Sequence, residues 1–482
     1  MQPLIENSPD ASASMQAPER LTDFLWKRGL LLEQTGSSAV ARENWLLLLR
    51  HQPAHLGALK RLGDLLLAAG DEAEAQRVFA EAVALHSSDA VSRVQLAKLL
   101  IKQKQYTAAR EHLEHALTLD PNLRPAHAGL AFILHGLGEP ELAAWHGRIA
   151  FHGQCVVTAN YRGDRPPVTV LELISTHGGN VRLQSFLSDR IFQRYLVTAE
   201  FYDPSTPLPA HQLVVNSIGD ADLAAGALAG AERLLAQTKA PVINPPAAVL
   251  ATGRAAVAQR LAKLPGVRTA RTSTVQRAVL AAPDAEAKLA ALGFAFPLLL
   301  RSPGFHGGAH FLRVEAADDL PAALDQLPGA ALMVIEYLDA RSSDGKFRKY
   351  RAMMIDGRLY PLHCAVGSQW KIHYFSAEMA DYPEHRAEDA AFLEDMPAML
   401  GARAMAALGS IQAALGLDYG GIDFGLSENG DVLLFEANAT MVILPPGEDS
   451  RWDYRRPAVE RVCRAVHAML AAKAGVGLAA MG

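Results

Sequence analysis

The sequence predicts a multidomain protein in which an all-α segment built from repeats precedes an α/β domain and an α+β module. A helical pattern with a 34-residue period runs from about residue 21 to residue 157. Strand and helix patterns alternate over residues 165–250, which is typical of a parallel sheet covered by helices. Residues 251–474 combine a glycine-rich loop, several apolar strands and an acidic hairpin. A chain of 482 residues exceeds one ordinary core, so we expect two or three domains.

Composition limits the function classes. The net charge of −5 argues against a surface that coats nucleic acid. The three cysteines have no metal-ligand spacing and leave an odd thiol, which favours a reducing cytoplasm. Residues 1–20 are polar and rich in Ala, Ser and Pro, so we expect a disordered tail rather than a signal peptide. No run approaches the roughly 18 apolar residues of a membrane span. We therefore expect a cytoplasmic protein with neither a nucleic-acid nor a membrane partner.

The N-terminal repeats align when units start at Leu56, Ala90 and Arg124. Small or apolar residues then occupy equivalent positions of the three units: Leu62, Leu96 and Leu130; Gly63, Ala97 and Ala131; Ala75, Ala109 and Ala143; Ala82, Ala116 and Ala150. Phe79 and Leu113 are expected to fill the space between units. This pattern resembles the tetratricopeptide repeat, whose helix pairs stack into a curved solenoid.

A more degenerate unit at roughly residues 22–55 keeps Gly29, Ala41, Trp45 and Pro53 at matching places, as a capping repeat would. Solenoids of this kind present a concave face to a peptide or protein. The alternative is that these helices only pack on the rest of the chain or make a homodimer. No residue of the repeats is assigned to a site.

The middle segment begins after a Gly-Asp-Arg-Pro-Pro linker at residues 163–167. Strands are predicted from Val168, Gln193 and His211, and a helix over residues 221–238. The turn containing His177, Gly178 and Gly179 follows the first strand. It could bind substrate or phosphate, although a tight turn explains it at least as well.

Near the carboxyl end, two apolar strands, residues 421–426 and 432–436, flank an Asn429-Gly430 turn, a strong hairpin signal. Glu436 and Asn438 are two residues apart and share a face, and the hairpin brings Asp423 opposite them. Two carboxylates and an amide oxygen are ligands that Mg²⁺ prefers. Taken singly, Asp423 could instead cap a turn, and Glu436 could pair with an arginine.

A glycine-rich loop lies between predicted strands 296–301 and 311–314. Its Gly304, Gly307 and Gly308 allow backbone N–H groups to approach phosphate oxygens, although glycine loops also make simple turns.

The spacing D-x12-E-x-N, with glycines before the Asp and a small residue after the Asn, resembles the ATP-grasp ligases, which include D-alanine:D-alanine ligase, glutathione synthetase and the RimK-type ligases. The resemblance spans about residues 168–474. It implies a pre-ATP-grasp domain at 165–250 and an ATP-grasp module at 251–474. Asp423, Glu436 and Asn438 would then hold Mg²⁺, or alternatively Mn²⁺, on the phosphates of ATP.

The same resemblance implies further site residues. Arg254 and Arg301 stand where the family most often has two nucleotide-contacting lysines, which is a departure from its pattern. Glu336, Tyr337 and Leu338 would contact the adenine through the backbone, and Asp339 the ribose. Arg351 would contact phosphate or an acyl phosphate, Lys371 the transferred γ-phosphate, and His373 phosphate or substrate. Lys349 lies on the same strand face as Arg351. Arg455, Arg456, Arg461 and Arg464 are interpreted as the solvated face of a C-terminal helix.

The implied function is an ATP-dependent carboxylate–amine ligase, or a ligase to a thiol, that works through an acyl phosphate and releases ADP and phosphate. Its substrates would be a carboxylate and an amine, with a peptide or protein recognised by the repeats. One alternative is a nucleotide-binding scaffold without turnover. Another is a phosphoryl transferase to an alcohol.

Overall fold

A computed structural model of the chain describes residues 11–303, 308–372, 374 and 377–478. The chain forms two compact units, Met1–Gln154 and Cys155–Gly482.

The described part of the first unit consists of helices that pack in successive pairs. In chain order they are α1 (Ala11–Gln34), α2 (Ser38–His51), α3 (Leu56–Ala68), α4 (Glu72–Leu85), α5 (Ala90–Lys102), α6 (Tyr106–Leu119), α7 (Arg124–Gly136) and α8 (Pro140–Phe151). Helices α3, α5 and α7 begin at the three predicted unit starts. The 34-residue period is therefore confirmed as a repeat of helix pairs.

Small residues allow the two helices of a unit to approach. A Cβ atom on Gly63 would lie 2.5 Å from the ring of Phe79, and one on Gly29 would lie 2.2 Å from the ring of Trp45. Both aromatic rings are fully buried. In the next unit the pair becomes Ala97 with the smaller Leu113, so the space that a missing methyl provides matches the size of the opposing side chain.

Residues 11–20 of the predicted tail lie in α1. The later part of this helix buries Leu25 in the repeat core, where α1 packs against α2. The boundary also differs slightly. The predicted repeat segment ended at residue 157, whereas Cys155 already belongs to the second unit.

The second unit opens with a five-stranded sheet. Its strands and associated helices are β1 (Val156–Thr158), β2 (Val168–Ile174), β3 (Phe192–Thr198), β4 (Leu213–Asn216), α9 (Ala225–Leu235), β5 (Val242–Ile243) and α10 (Pro246–Leu250). The order is β1-β3-β2-β4-β5. The predicted parallel layer is found in β2 to β5, while β1 adds an antiparallel edge strand.

Two further sheets follow. Their elements are α11 (Arg254–Leu261), β6 (Val267–Thr269), β7 (Thr272–Gln276), α12 (Arg277–Leu280), α13 (Ala285–Ala291), β8 (Leu298–Arg301), β9 (Phe311–Val314), α14 (Leu320–Gln326), β10 (Ala331–Glu336), β11 (Phe347–Ile355), β12 (Arg358–Gly367), α15 (Pro383–Glu394), α16 (Met396–Leu415), β13 (Tyr419–Leu426), β14 (Val432–Asn438) and α17 (Arg456–Ala474). The four-stranded sheet has the order β7-β10-β8-β9, and the five-stranded sheet has the order β12-β11-β13-β14-β6.

Two tight turns set the register of the last sheet. Asp356 and Gly357 both have positive φ, 46° and 75°, as a two-residue type I′ turn requires. The second turn, predicted at residues 427–431, is longer than this two-residue turn. Ser427 N–H donates to Asp431 O, and Gly430 takes the left-handed conformation at φ 76°.

Helix α16 is long and apolar enough, by length and composition, to cross a membrane. Gly401, with φ 79° and ψ 166°, interrupts the helix. Its buried side chains, among them Leu408 and Ile411, belong to an apolar core of the second unit. They make up 33% of the most apolar 18-residue window, so burial accounts for part of its apolar character.

The first and last sheets are joined by Asn244, which is fully buried and has φ 55°. Its side-chain amide donates to Tyr419 O at 2.8 Å, and its side-chain oxygen accepts from Tyr419 N at 2.9 Å. These bonds satisfy the backbone of β13 where the strand begins, next to the end of β5.

Candidate functional site

Four polar side chains lie side by side across the last sheet. His363 on β12 pairs in register with Arg351 on β11, Arg351 pairs with Asp423 on β13, and Asp423 pairs with Glu436 on β14. Directly opposed residues point to the same face of a sheet. We call these four residues the polar row.

Two β-bulges create this alignment. Leu362 on β12 and Phe435 on β14 have no partner in the ladder, because the register shifts by one residue at each. A bulge moves the residues beyond it to the other face of the strand. His363 and Glu436 join Arg351 and Asp423 on one face for this reason.

Asp423 is the buried centre of the row, with 1% of its side chain exposed. Arg351 donates to both carboxylate oxygens, at 2.6 and 2.8 Å, and Lys349 Nζ lies 2.6 Å from Oδ2. Burial alone would raise the pKa of Asp423, but Lys349 and Arg351 hold that pKa well below its usual value. Asp423 is therefore ionised and held by two cations.

Glu436 and Asn438 lie at the open end of the row. Asn438 Nδ2 donates to Glu436 Oε1 at 2.9 Å, and Asn438 Oδ1 accepts from the backbone N–H and the hydroxyl of Thr440. Within the described part of the chain, no three His, Cys, Asp or Glu side chains are grouped as a metal site. The predicted metal set thus depends on the Asn438 amide as its third ligand.

Arg254 and Arg301 lie close to Glu436. At the start of α11, Arg254 Nη2 is 3.6 Å from Glu436 Oε1, and Nη1 is 3.0 Å from Asp222 Oδ2. Burial lowers the pKa of Arg301, and the neighbouring charge of Arg254 lowers it further. Arg254 and Arg301, the two residues predicted to contact nucleotide, therefore cluster with Glu436 at the end of the polar row.

Lys371 reaches the strand that closes the glycine loop. Its Nζ donates to Phe311 O at 3.2 Å, and Phe311 pairs with Arg301 in the ladder between β8 and β9. A Cβ atom on Gly308 would lie 2.9 Å from Lys371 Cε, so the missing side chain allows this approach. The other predicted residues of the two loops, Gly304, Gly307 and His373, lie outside the described residues.

The predicted adenine segment follows β10. Glu336 accepts from Arg271 N, Leu338 is buried, and Asp339 pairs with Arg341. The ring of Tyr337 lies 4.1 Å below Arg313 Cζ and 6.4 Å from Trp370, which in turn lies 5.4 Å from Phe311. Aromatic contacts therefore link this segment to β9 and to the segment after β12 that carries Trp370 and Lys371.

A cavity of about 530 Å³ opens over the polar row. Its wall includes Arg351, His363 and Glu436 of the row, residues of the first sheet, and an apolar side made of Leu362, Met441, Val442 and Leu444. Gly179, Asn180 and Asp220 contribute from the loops after β2 and β4. Among described residues His177 is not part of this wall, and its Nδ1 lies 3.6 Å from Glu200 Oε1.

Sequence reasoning missed His363, Tyr374 and Arg455 in the cavity wall. The interpretation of Arg455 as part of a solvated helix face is wrong, because this residue is 6% exposed. Arg455 lies just before the first residue of α17. The periodicity of the helix therefore does not predict which way the Arg455 side chain points. His363 depends on the bulge at Leu362, which alternation along β12 does not indicate.

Comparisons with known proteins support the repeats. The tetratricopeptide repeat family model matches residues 66–130. Similar solved structures include a crystal structure of MamA protein, with 19% identity over 28% of this chain and 73% of that chain and a TM-score of 0.26. A MamA structure from Desulfovibrio magneticus RS-1 has 25% identity over 28% and 74%, with a TM-score of 0.25. A Pseudomonas aeruginosa pilF structure has 20% identity over 28% and 62%, with a TM-score of 0.26.

No curated protein matches the chain. The chain therefore contains a tetratricopeptide repeat region, which indicates protein–protein interaction, followed by a separate region of mixed sheets.

Proposed function

We propose that the second unit is an ATP-dependent carboxylate–amine ligase of the ATP-grasp type, which acts through an acyl phosphate on a substrate presented by the repeats. The observation that carries this proposal is the gathering of three arginines about two carboxylates: Arg351 holds Asp423, and Arg254 and Arg301 lie near Glu436. Arg351 and Glu436 also line the cavity. A cluster of several cations with two carboxylates suits a polyphosphate that arrives with a divalent metal ion.

The donor set fits Mg²⁺ under one condition. Both oxygens of Asp423 are held by Arg351 and Lys349, and both hydrogen bonds to Asn438 Oδ1 come from Thr440. A bare ion would have to displace these partners. A nucleotide would instead attract Arg351 and Lys349 to its phosphates, and the carboxylates would then be available to the metal. We therefore expect metal binding to require nucleotide.

When bound, the metal would be held by Asp423, Glu436 and Asn438 and would offset the charge that builds up on the phosphates. The chain's own groups orient the reactants. Arg351 is held by its bidentate contact with Asp423, which directs the guanidinium along the row. Lys371, which approaches Gly308 of the glycine loop and donates to Phe311 O, would cover the phosphates and limit access of water.

In the proposed reaction a substrate carboxylate oxygen attacks the γ-phosphorus of ATP, and ADP leaves. The amine then attacks the carbonyl carbon of the acyl phosphate and loses a proton, and inorganic phosphate leaves. No protein nucleophile is needed. The repeats would deliver a peptide or protein that carries one of the two groups, in the cytoplasm.

A scaffold that binds nucleotide without turnover is the second candidate. It is favoured by the engagement of Asn438 Oδ1 with Thr440 and by the repeat family match, since repeats of this kind bind proteins. The two candidates differ in one measurable property, which is the release of phosphate when both a carboxylate and an amine are present.

The test uses the full chain with ATP, Mg²⁺ and pools of carboxylates, amino acids and peptides, with ADP and phosphate measured together. A ligase releases both only when a carboxylate and an amine are supplied together. A scaffold binds ATP and releases neither, and a phosphoryl transferase leaves the phosphate on its acceptor.

Glu436→Gln should abolish metal-dependent nucleotide binding, measured by calorimetry. Glu428→Gln, in the exposed turn of the same hairpin, is the matched control and should leave it unchanged. If Glu436→Gln binds ATP and Mg²⁺ like the wild type, the assignment of the metal site is wrong.

A further inference from the structure

A buried arginine in the cavity wall has a side-chain nitrogen, Arg455 Nε, that no hydrogen bond satisfies among the described residues. Arg455 is 6% exposed. Its nearest carboxylate atom, Asp389 Oδ2, is 4.0 Å from Nε, and its Cζ lies 4.2 Å from the ring centroid of Tyr374. A buried guanidinium normally has hydrogen-bonded acceptors, because an unsatisfied buried charge is costly.

A second buried polar group faces the same space. His363 is 7% exposed, and its Nδ1 has no hydrogen-bond partner among the residues that the structure describes. The His363 ring lies 4.6 Å from the Tyr374 ring, and burial together with Arg351 lowers the pKa of His363 well below its usual value. The imidazole is therefore neutral near pH 7 and can donate one hydrogen bond into the cavity.

These side chains are held in place from behind. Asp389 is fully buried and accepts hydrogen bonds from the hydroxyls of Tyr374, at 3.0 Å, and Tyr454, at 2.7 Å, and from Cys364 N at 2.6 Å. Three donors already occupy the oxygens of Asp389, and Arg455 Nε comes no closer to Oδ2 than 4.0 Å. Arg455 is thus a wall residue of the cavity that stands on a fixed support.

The other walls indicate what kind of anion fits. Leu362, Met441 and Leu444 make an apolar surface next to Arg455, and the cavity has a volume of about 530 Å³. An inorganic anion would not cover this surface, whereas an organic acid of amino-acid to dipeptide size would. Asp220 and Glu436 also line the cavity and would repel an anion from their own part of the wall.

We propose that His363 and Arg455, which both pack against the Tyr374 ring, form an anion subsite that binds the carboxylate of an organic substrate, with its apolar body against Leu362, Met441 and Leu444. The subsite shares its cavity with Glu436 but includes none of Arg254, Arg301 and Glu436. Only the description of the ligand as a substrate rests on the proposed ligase function. Binding of the carboxylate itself needs neither ATP nor metal.

The probes are matched acid and amide pairs: the N-acetyl derivatives of leucine, phenylalanine and leucyl-leucine, each with the corresponding C-terminal amide. Binding to the full chain is measured by calorimetry in the absence of nucleotide and metal, with inorganic phosphate as a further probe. We expect at least one acid to bind at least tenfold more tightly than its amide. If no pair differs, or if phosphate binds and no organic acid does, the subsite proposal is overturned.

Arg455→Met removes the charge at nearly constant length and should weaken binding of the preferred acid at least about 30-fold, the usual cost of losing one partner of a buried charged hydrogen bond. Arg464→Met on α17 is the matched control, because this arginine is exposed and pairs only with Glu460 at 3.7 Å among described residues. Equal binding by Arg455→Met and Arg464→Met would overturn the proposal.

A second variant avoids the risk that Arg455→Met fails to fold. Leu444 is 43% exposed, so Leu444→Glu should fold. Loss of its apolar contact should weaken acid and amide alike, and the added negative charge should weaken the acid by at least about a further tenfold through like-charge repulsion. Equal loss for acid and amide would contradict a carboxylate subsite. ATP binding is measured on every variant, so failure of the ligase proposal is distinguished from failure of the subsite.

Discussion

Substituting Asn for Asp423 tests whether the polar row is held together by charge. Asn keeps the shape of the side chain and removes its negative charge. Arg351 and Lys349 then face a neutral amide, although their side chains remain only 20% and 22% exposed. The substitution therefore leaves two largely buried cations without their common partner.

The cost follows from this geometry. Removing one partner of a buried ion pair destabilises a protein by about 3–5 kcal/mol, because the remaining charge is uncompensated. Arg351 and Lys349 keep some contact with water, which places the expected loss for Asp423→Asn near the lower end, about 3 kcal/mol. A loss of that size is a large part of a typical unfolding free energy of about 5–15 kcal/mol.

The assay must report on the second unit alone, because the chain has two compact units. Hydrogen exchange across a urea series, resolved by mass spectrometry, follows peptides from β11 and β13 separately from the repeats. Asp453→Asn is the control, since Asp453 is exposed and pairs with the exposed Arg456. We expect protection of β11 and β13 to fall only in Asp423→Asn.

The pH dependence gives an independent check. The pKa of Asp423 is lowered on folding, so its stabilisation is fully present above the ordinary carboxyl pKa of about 3.9. It is lost as the pH falls below that value through the lowered pKa of the folded protein. The difference between wild type and Asp423→Asn should therefore be constant from pH 5 to 8 and shrink below about pH 4. A difference under about 1 kcal/mol at pH 7 would refute the reasoning.

Three further predictions concern other parts of the molecule. Gly63→Ala places a methyl group 2.5 Å from a buried phenyl ring and should destabilise the repeats by about 1–3 kcal/mol in a urea titration. Gly136→Ala is the control, because no atom lies within 4 Å of the added carbon, and it should be neutral or stabilising. Burial lowers the pKa of His146 to about 4, so the repeats should lose stability as the pH falls from about 6.5 toward 4. His146→Gln should reduce that loss without abolishing it, because burial also lowers the pKa of His112. Asn244→Ala should lower the unfolding free energy of the second unit by about 2–4 kcal/mol, because the backbone N–H and C=O of Tyr419 lose their hydrogen-bond partners. Hydrogen exchange of β13 measures this loss, and unchanged protection of β13 would contradict the role of Asn244.

Local pattern was sufficient for most of the elements. The 34-residue period predicts the first residues of α3, α5 and α7 because every unit makes the same contacts with its neighbours. The turn at Asp356-Gly357 was predictable because few residue pairs tolerate two positive φ angles. The short strands β1, β6 and β7 were missed, since their few residues carry no distinctive alternation, and pairing with distant strands makes them extended.

The sequence by itself determined the helical repeats, the order of most strands and helices, and the hairpin that brings Asp423 opposite Glu436 and Asn438. Each depends on residues near one another in the chain or on a fixed period. Only the tertiary structure decided that Arg351 and Lys349 hold Asp423, that a bulge at Leu362 turns His363 into the cavity, and that Arg455 is buried. These contacts join residues tens of positions apart. Their geometry depends on a one-residue shift of register and on the packing of several elements at once, which no local pattern records.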